Sequence, residues 1–176
     1  RYSVSPNVSA LGSAVKEYFK SKIGFVGTPC QVLAVRKLQF HPGAARKLGE
    51  RVKYVIGLFC MENFSYASFI KEFIEKKKGI KLDEVTKFSI EKGKFYVFKG
   101  DIIALQMKVS DLKNYARAAC HVCPDLTAEL ADISVGSIGS DKGWSTVIIR
   151  TDAGKELFDA AVEAKLIEAK KLSLED

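Results

Sequence analysis

No run of about 18 apolar residues occurs in this chain, so nothing in it reads as a membrane-crossing helix. No charged-then-apolar leader precedes a small-residue cleavage site, so no signal peptide is expected. Cysteine is sparse: Cys30, Cys60, Cys120 and Cys123, unevenly spaced. Without a secretion signal, that usage argues against a disulfide framework and for a reduced compartment, read here as the cytoplasm. Internal repeats and low-complexity segments are missing. No Gly-Lys-Ser/Thr closes a Walker loop, and no G-x-G-x-x-G fingerprint is present. Basic residues do not interleave with aromatics in any nucleic-acid motif, so no nucleic-acid partner is expected. The chain opens at Arg1 rather than at Met, which reads as a fragment or a lost beginning.

What is present fits one globular domain, residues 1–176, large enough for a real core. Hydrophobic residues make up 47% and charged residues 28%, an ordinary balance. The net charge is +7. The run Lys76-Lys77-Lys78 suits a solvated helix end, and the overall field suits an acidic ligand or partner.

Patterning predicts alternating elements at the two ends of the chain and a meander between them. Helical spacing runs from Ser9 to Lys20, with Ser9 as a candidate N-cap. A short buried strand follows at Ile23 to Val26, then a helix from Cys30 to Leu38 opening after Pro29. One helical turn is expected at Ala44 to Leu48. Lys53 to Phe59 reads as a continuous apolar strand of the parallel kind. Phe64 to Lys78 reads as a helix ended by Gly79. Val85 to Ile90 and Lys94 to Phe98 form a hairpin around Lys92-Gly93, and Ile102 to Val109 adds a third strand. Ser110 to Ala119 reads as helix, Asp132 to Val135 and Thr146 to Arg150 as strands, Ala153 to Ala164 as helix, and Ile167 to Leu172 as a last strand. The fold expected is α/β, with α+β as the alternative. It comprises a mixed sheet with flanking helices and an inserted β-meander.

The stretch from Ala119 to Thr146 is poor material for a plain core. It holds a Cys-x-x-Cys pair, spare carboxylates, a Gly/Ser loop and the only Trp. Cys30 and Cys60 each fall just past the C-terminal end of a predicted strand, the edge where open α/β sheets bind ligands. Together the four thiols suit an iron–sulfur cluster, zinc or cuprous copper. Pro124 follows the last cysteine, as in one bacterial type of cluster run. Two alternatives remain: a thiol–disulfide oxidoreductase using Cys120 and Cys123, and a zinc-stapled binding domain. Iron, zinc or neither in protein prepared without oxygen separates the three. Gly136-Ser137-Ile138-Gly139-Ser140 follows a strand; its glycines allow close backbone approach and its serines offer hydroxyls. Trp144 suits a stacking surface or a core position. His121, between the paired cysteines, suits either tuning of a cluster or a solvent-facing loop.

Four stretches carry a family resemblance: FVGTPCQ (Phe25 to Gln31), IGLFCMENF (Ile56 to Phe64), CHVCPDLTAELADISVGSIGS (Cys120 to Ser140) and GWSTVIIRT (Gly143 to Thr151). In order and content they resemble the beta-subunit family of coenzyme F420-reducing hydrogenases and dehydrogenases. The resemblance implies an electron-transfer flavoprotein with FAD and a [4Fe–4S] cluster. It would pass electrons between an iron–sulfur relay and coenzyme F420 by hydride transfer, beside partner subunits of a hydrogenase or dehydrogenase. Carried onto this chain, it makes Cys30, Cys60, Cys120 and Cys123 the cluster ligands. Gly27, Thr28, Asn63, Ser137, Gly139 and Trp144 become candidate flavin contacts. It assigns no catalytic residue. It also implies that the chain is the C-terminal major part of a beta subunit whose N-terminal segment, with a Gly-rich flavin-contacting stretch, is absent.

Overall fold

A computed structural model describes residues 5–172. The chain forms an α/β structure with a mixed sheet and flanking helices, divided into two compact units. One is built from Pro6–Met61 together with the chain from Pro124 on; the other is Glu62–Cys123, inserted between them in sequence.

The first unit runs through α1 (Asn7–Lys16), β1 (Ile23–Gly27), α2 (Pro29–Phe40), α3 (Arg46–Gly49) and β2 (Val52–Leu58). After the insert come β6 (Ile133–Gly136), β7 (Thr146–Ile149) and α4 (Asp152–Glu163). The sheet order is β1-β2-β6-β7, the first three parallel and β7 antiparallel. Continuous apolar runs in β1 and β2 suit this pairing, because parallel strands carry cover on both faces. On one face Phe25 and Val55 pair across the strands. They pack with Leu11 of α1 and with Val32 and Val35 of α2, all at most 4% exposed. Each such side chain contributes roughly 1.5–3 kcal/mol by leaving water.

A polar tie locks this sheet. Asp132, just before β6, is 5% exposed. Its Oδ1 accepts from the Arg36 guanidinium of α2 at 2.8 Å and from the Thr151 hydroxyl at 2.9 Å; its Oδ2 accepts from the Val55 amide at 2.7 Å. Arg36 also donates to the Leu130 carbonyl and to Gln39 Oε1, both at 2.7 Å. Arg150 donates to Ser134 Oγ at 2.9 Å and to Thr127 Oγ1 at 2.8 Å. Buried charge is tolerated here because both Asp132 oxygens and all three Arg36 guanidinium nitrogens meet a partner.

The inserted unit is an antiparallel meander: β3 (Lys87–Glu91), β4 (Lys94–Lys99) and β5 (Ile102–Lys108). Lys92 and Gly93 both have positive φ, 48° and 73°, as a tight two-residue hairpin turn requires. Phe95 and Val97 point inward from β4 and are fully buried, with Phe69 and Ile74 of the helix Tyr66–Lys77. Phe69 sits 5.1 Å from Phe95 and 5.0 Å from Phe64, ring centre to ring centre, a tilted aromatic cluster. That helix is wound as a π-helix; Ser65 caps it by accepting from the Ser68 amide at 3.3 Å.

Three expectations about elements are corrected. The first helix begins at Asn7 after Pro6, not at a Ser9 cap, and Phe19 at φ 50° stands just beyond its end. The helix expected over residues 110–119 is two 3-10 segments, Val109–Tyr115 and Ala118–Val122. It breaks because Ala116 bridges to Phe64 and the Arg117 amide donates to the Asn63 carbonyl at 3.0 Å. Residues 167–172 form no strand. Lys170 there is drawn instead to Asp141, at 3.2 Å, and over the Trp144 ring at 4.6 Å.

Asp132→Ala leaves the Arg36 guanidinium and the Val55 amide without their shared acceptor. The expected cost is about 3–5 kcal/mol, read as a lowered urea midpoint of unfolding; a loss under about 1 kcal/mol would refute the tie.

Candidate cofactor site

Three parallel strands end along one edge of the four-stranded sheet. Their following loops therefore collect there, where α/β sheets bind ligands. After β1 come Thr28, Pro29 and Cys30. After β2 come Phe59 and Cys60. After β6 comes the loop through Ser137 and Gly139 to Trp144, which leads into β7. Of the residues expected from the sequence, Gly27, Thr28, Cys30, Cys60, Ser137, Gly139 and Trp144 all belong to this edge of one unit.

Local chemistry fixes each loop. Pro29 occupies the first turn of α2, where a missing N–H costs nothing. Gln31 reaches back to accept from the Thr28 amide at 3.0 Å. The Thr28 hydroxyl lies 3.3 Å from the Cys30 thiol. Cys30 is thus held, exposed, in the first turn of a helix, at the positive end of its dipole. The Phe59 amide donates to the Val135 carbonyl and the Cys60 amide to the Leu126 carbonyl, both at 2.9 Å, which anchors Cys60 partly buried beside β6.

The loop after β6 is self-stapled. Ser140 Oγ lies 3.2 Å from the Ser137 carbonyl and 3.1 Å from the Trp144 carbonyl, and the Thr146 hydroxyl donates to the Ile138 carbonyl at 2.7 Å. Gly139 and Gly143 take φ of 82° and 92°, which non-glycine residues seldom adopt. Ser140 therefore shapes the loop, while Ser137 and Gly139 are exposed at its tip. Two further glycines let the edge close up. A Cβ on Gly57 would overlap that of Ala128, and one on Gly136 would enter the Phe59 ring.

In the inserted unit, Cys120 and Cys123 lie at the 3-10 segment Ala118–Val122, where the Cys120 amide donates to the Arg117 carbonyl at 2.8 Å and the Cys123 amide to the Cys120 carbonyl at 3.3 Å. Neither is in a disulfide, nor are Cys30 and Cys60. His121 is exposed. Asn63 supports this turn through its carbonyl bond to the Arg117 amide. Its own Oδ1 is buried with no hydrogen-bond partner among the described residues. Buried polar atoms are seldom left so, and an unexplained one points to a missing donor. Among the described residues no three His, Cys, Asp or Glu side chains are grouped closely enough to hold a metal ion.

Residues 20–175 match the family model for the coenzyme F420 hydrogenase/dehydrogenase beta subunit, C terminus. The chain belongs to this family. It is 49% identical to the coenzyme F420 hydrogenase subunit beta of Methanococcus voltae, over 98% of this chain and 60% of that protein. The corresponding subunit of Methanothermobacter thermautotrophicus is 43% identical, again over 98% and 60%. A solved structure of the F420-reducing [NiFe] hydrogenase complex from Methanosarcina barkeri superposes with a TM-score of 0.85 at 41% identity, over 94% of this chain and 56% of that one. The chain thus spans about three-fifths of the curated relatives named here.

For this F420 hydrogenase/dehydrogenase family member, Gln31 is a site-shaping residue the sequence reading passed over. The Thr28-x-x-Gln31 spacing of a capping box was its signal. The family match runs through all four sequence blocks, and the three parallel strands carry the edge where seven of the ten expected site residues stand.

Gly57→Ala forces the 128–131 turn away from β2 and is expected to cost about 1–3 kcal/mol of stability. Ser137→Ala, at the exposed loop tip, is expected to stay within about 0.5 kcal/mol. Urea titrations of the two variants check the contrast.

Proposed function

We propose that this chain is the C-terminal part of a beta subunit that exchanges hydride with coenzyme F420 inside a hydrogenase-type complex in the cytoplasm, with FAD and a [4Fe–4S] cluster as resident groups. The observation that carries the reading is the gathering of Cys30, Cys60 and the Gly/Ser loop at one sheet edge in a chain of this family. No helix among the described residues is long and apolar enough to cross a membrane.

The residue types suit both groups, with Cys30 and Cys60 supplied by one compact unit and Cys120 and Cys123 by the other. Four cysteine thiols outside disulfides are the donor set that iron–sulfur clusters take. The orphaned Asn63 Oδ1 is an acceptor awaiting a donor, and a flavin carries ring and ribose donors. When bound, a flavin exchanges one or two electrons and so connects a one-electron cluster to a hydride carrier.

The chain's own residues would hold and orient. Cys30, Cys60, Cys120 and Cys123 are the proposed cluster ligands. The exposed backbone at Ser137 and Gly139 would approach a phosphate or ribose closely, the buried Gly27 and half-buried Thr28 would shape the floor beside it, and the partly exposed Trp144 would border a ring. The lysine-rich surface, at +7 overall, draws in a coenzyme with anionic groups. Other hydrogenase subunits would supply the electrons.

Two variants of the subunit in its complex, prepared without oxygen, test this reading. Cys120→Ser should lower the bound iron and remove the cluster's visible charge-transfer absorption, with the fold kept; unchanged iron content refutes the ligand assignment.

Asn63→Leu should leave flavin-free stability within about 1 kcal/mol, since it removes an unsatisfied group. It should also weaken flavin binding about tenfold, the equivalent of one lost hydrogen bond. Unchanged flavin affinity refutes the contact.

A further inference from the structure

The two faces of the four-stranded sheet are unequally covered. Phe25, Val55 and Ser134 lie on the face under α1 and α2 and are at most 4% exposed. Alternate residues point the other way. There Val26 is 43% exposed, Leu58 41%, Val147 38% and Ile149 40%. The register joins them: Val26 pairs with Ile56, and Leu58, Val135 and Val147 lie abreast across β2, β6 and β7.

α4 covers only one end of this face. Gly154 sits against the Asp132 carbonyl and Ile133 Cγ1, and Ile133 is 6% exposed. Two residues further along each strand the Leu58–Val135–Val147 row is open. A sheet of parallel strands normally has both faces covered, and a contiguous apolar row inside a sheet marks a surface that another element occupies.

The length of the relatives indicates which element. They extend for the remaining two-fifths of their length beyond what this chain matches, and the matching family model describes the C terminus of the subunit. We propose that the open half of this sheet face is the seat of the polypeptide that precedes this chain in the full beta subunit. That polypeptide would dock an apolar face across Leu58, Val135 and Val147, as the second helical layer of an α/β sheet does. This rests on the reading of the chain as the C-terminal part of that subunit. A cover supplied by the same polypeptide suits a row of Val and Leu without charge, because obligate contacts resemble a core.

Peptide-resolved maleimide labelling of the full-length subunit tests it with two variants. Val147→Cys keeps a small side chain at the row, and Lys155→Cys lies on the exposed side of α4. Position 147 should react about tenfold more slowly than position 155, as shielding by packed structure requires. Equal rates overturn the proposal. A photoreactive p-benzoylphenylalanine in place of Val147 then identifies the neighbour. Cross-links to the N-terminal segment of the same chain support the proposal; cross-links to a second copy or to another subunit, or none at all, overturn it. Iron and flavin measured on the same preparations report separately on the proposed function, so a failed cross-link with both groups bound sinks this inference alone.

Discussion

The carboxylate of Asp132 is the point through which the sheet unit is held in register. One side chain accepts from α2 through Arg36, from β2 through the Val55 amide and from the start of α4 through Thr151. Thr151 in turn caps α4, its hydroxyl accepting from the Gly154 amide at 3.1 Å while donating to Asp132. A slip of β6 by one residue would turn Ser134 outward and break all three bonds at once. The tie sits before β6 begins, and the loops with Cys30, Cys60 and Ser137 lie at the other ends of the strands. Rigidity at one end thus sets geometry at the other, the arrangement that α/β sites require of their scaffold.

Local signals made most of the fold legible. The apolar runs of β1 and β2, the Lys92-Gly93 turn and Pro29 ahead of α2 depend on residues within a few positions of one another, and the elements formed where those residues predict them. The breaks came where distant residues intervene. The interrupted helix around Ala116 is decided by Phe64 and Asn63, some fifty residues earlier. Residues 167–172 have strand-like composition but take no place in a ladder, and Lys170 among them pairs with Asp141 instead. The Arg36–Asp132 pair joins residues 96 apart and leaves no mark on local periodicity.

At the candidate site the same division holds. That Cys30 and Cys60 follow strands is a local reading, and their common edge then follows from parallel pairing. The role of Ser140 as a staple, rather than as a ligand-facing hydroxyl, depends on where the Trp144 carbonyl turns back, which spacing alone does not fix. The orphaned oxygen of Asn63 is likewise a property of three-dimensional burial. The family match joins these local facts, because the matched residues run through both compact units.

The insertion of Glu62–Cys123 between β2 and β6 has a kinetic consequence. Parallel pairing of those strands joins parts of the chain far apart in sequence, and such a closure is slow because its entropy is lost before any contact rewards it. The insert shortens the effective distance once it folds: Ser65 and Arg117 pair through backbone bonds with Tyr115 and Asn63, drawing its two ends together. The meander, made of neighbouring strands, is the fast-forming piece. Pairing of β2 with β6 is therefore expected to follow the folding of a segment that contributes no strand to that sheet.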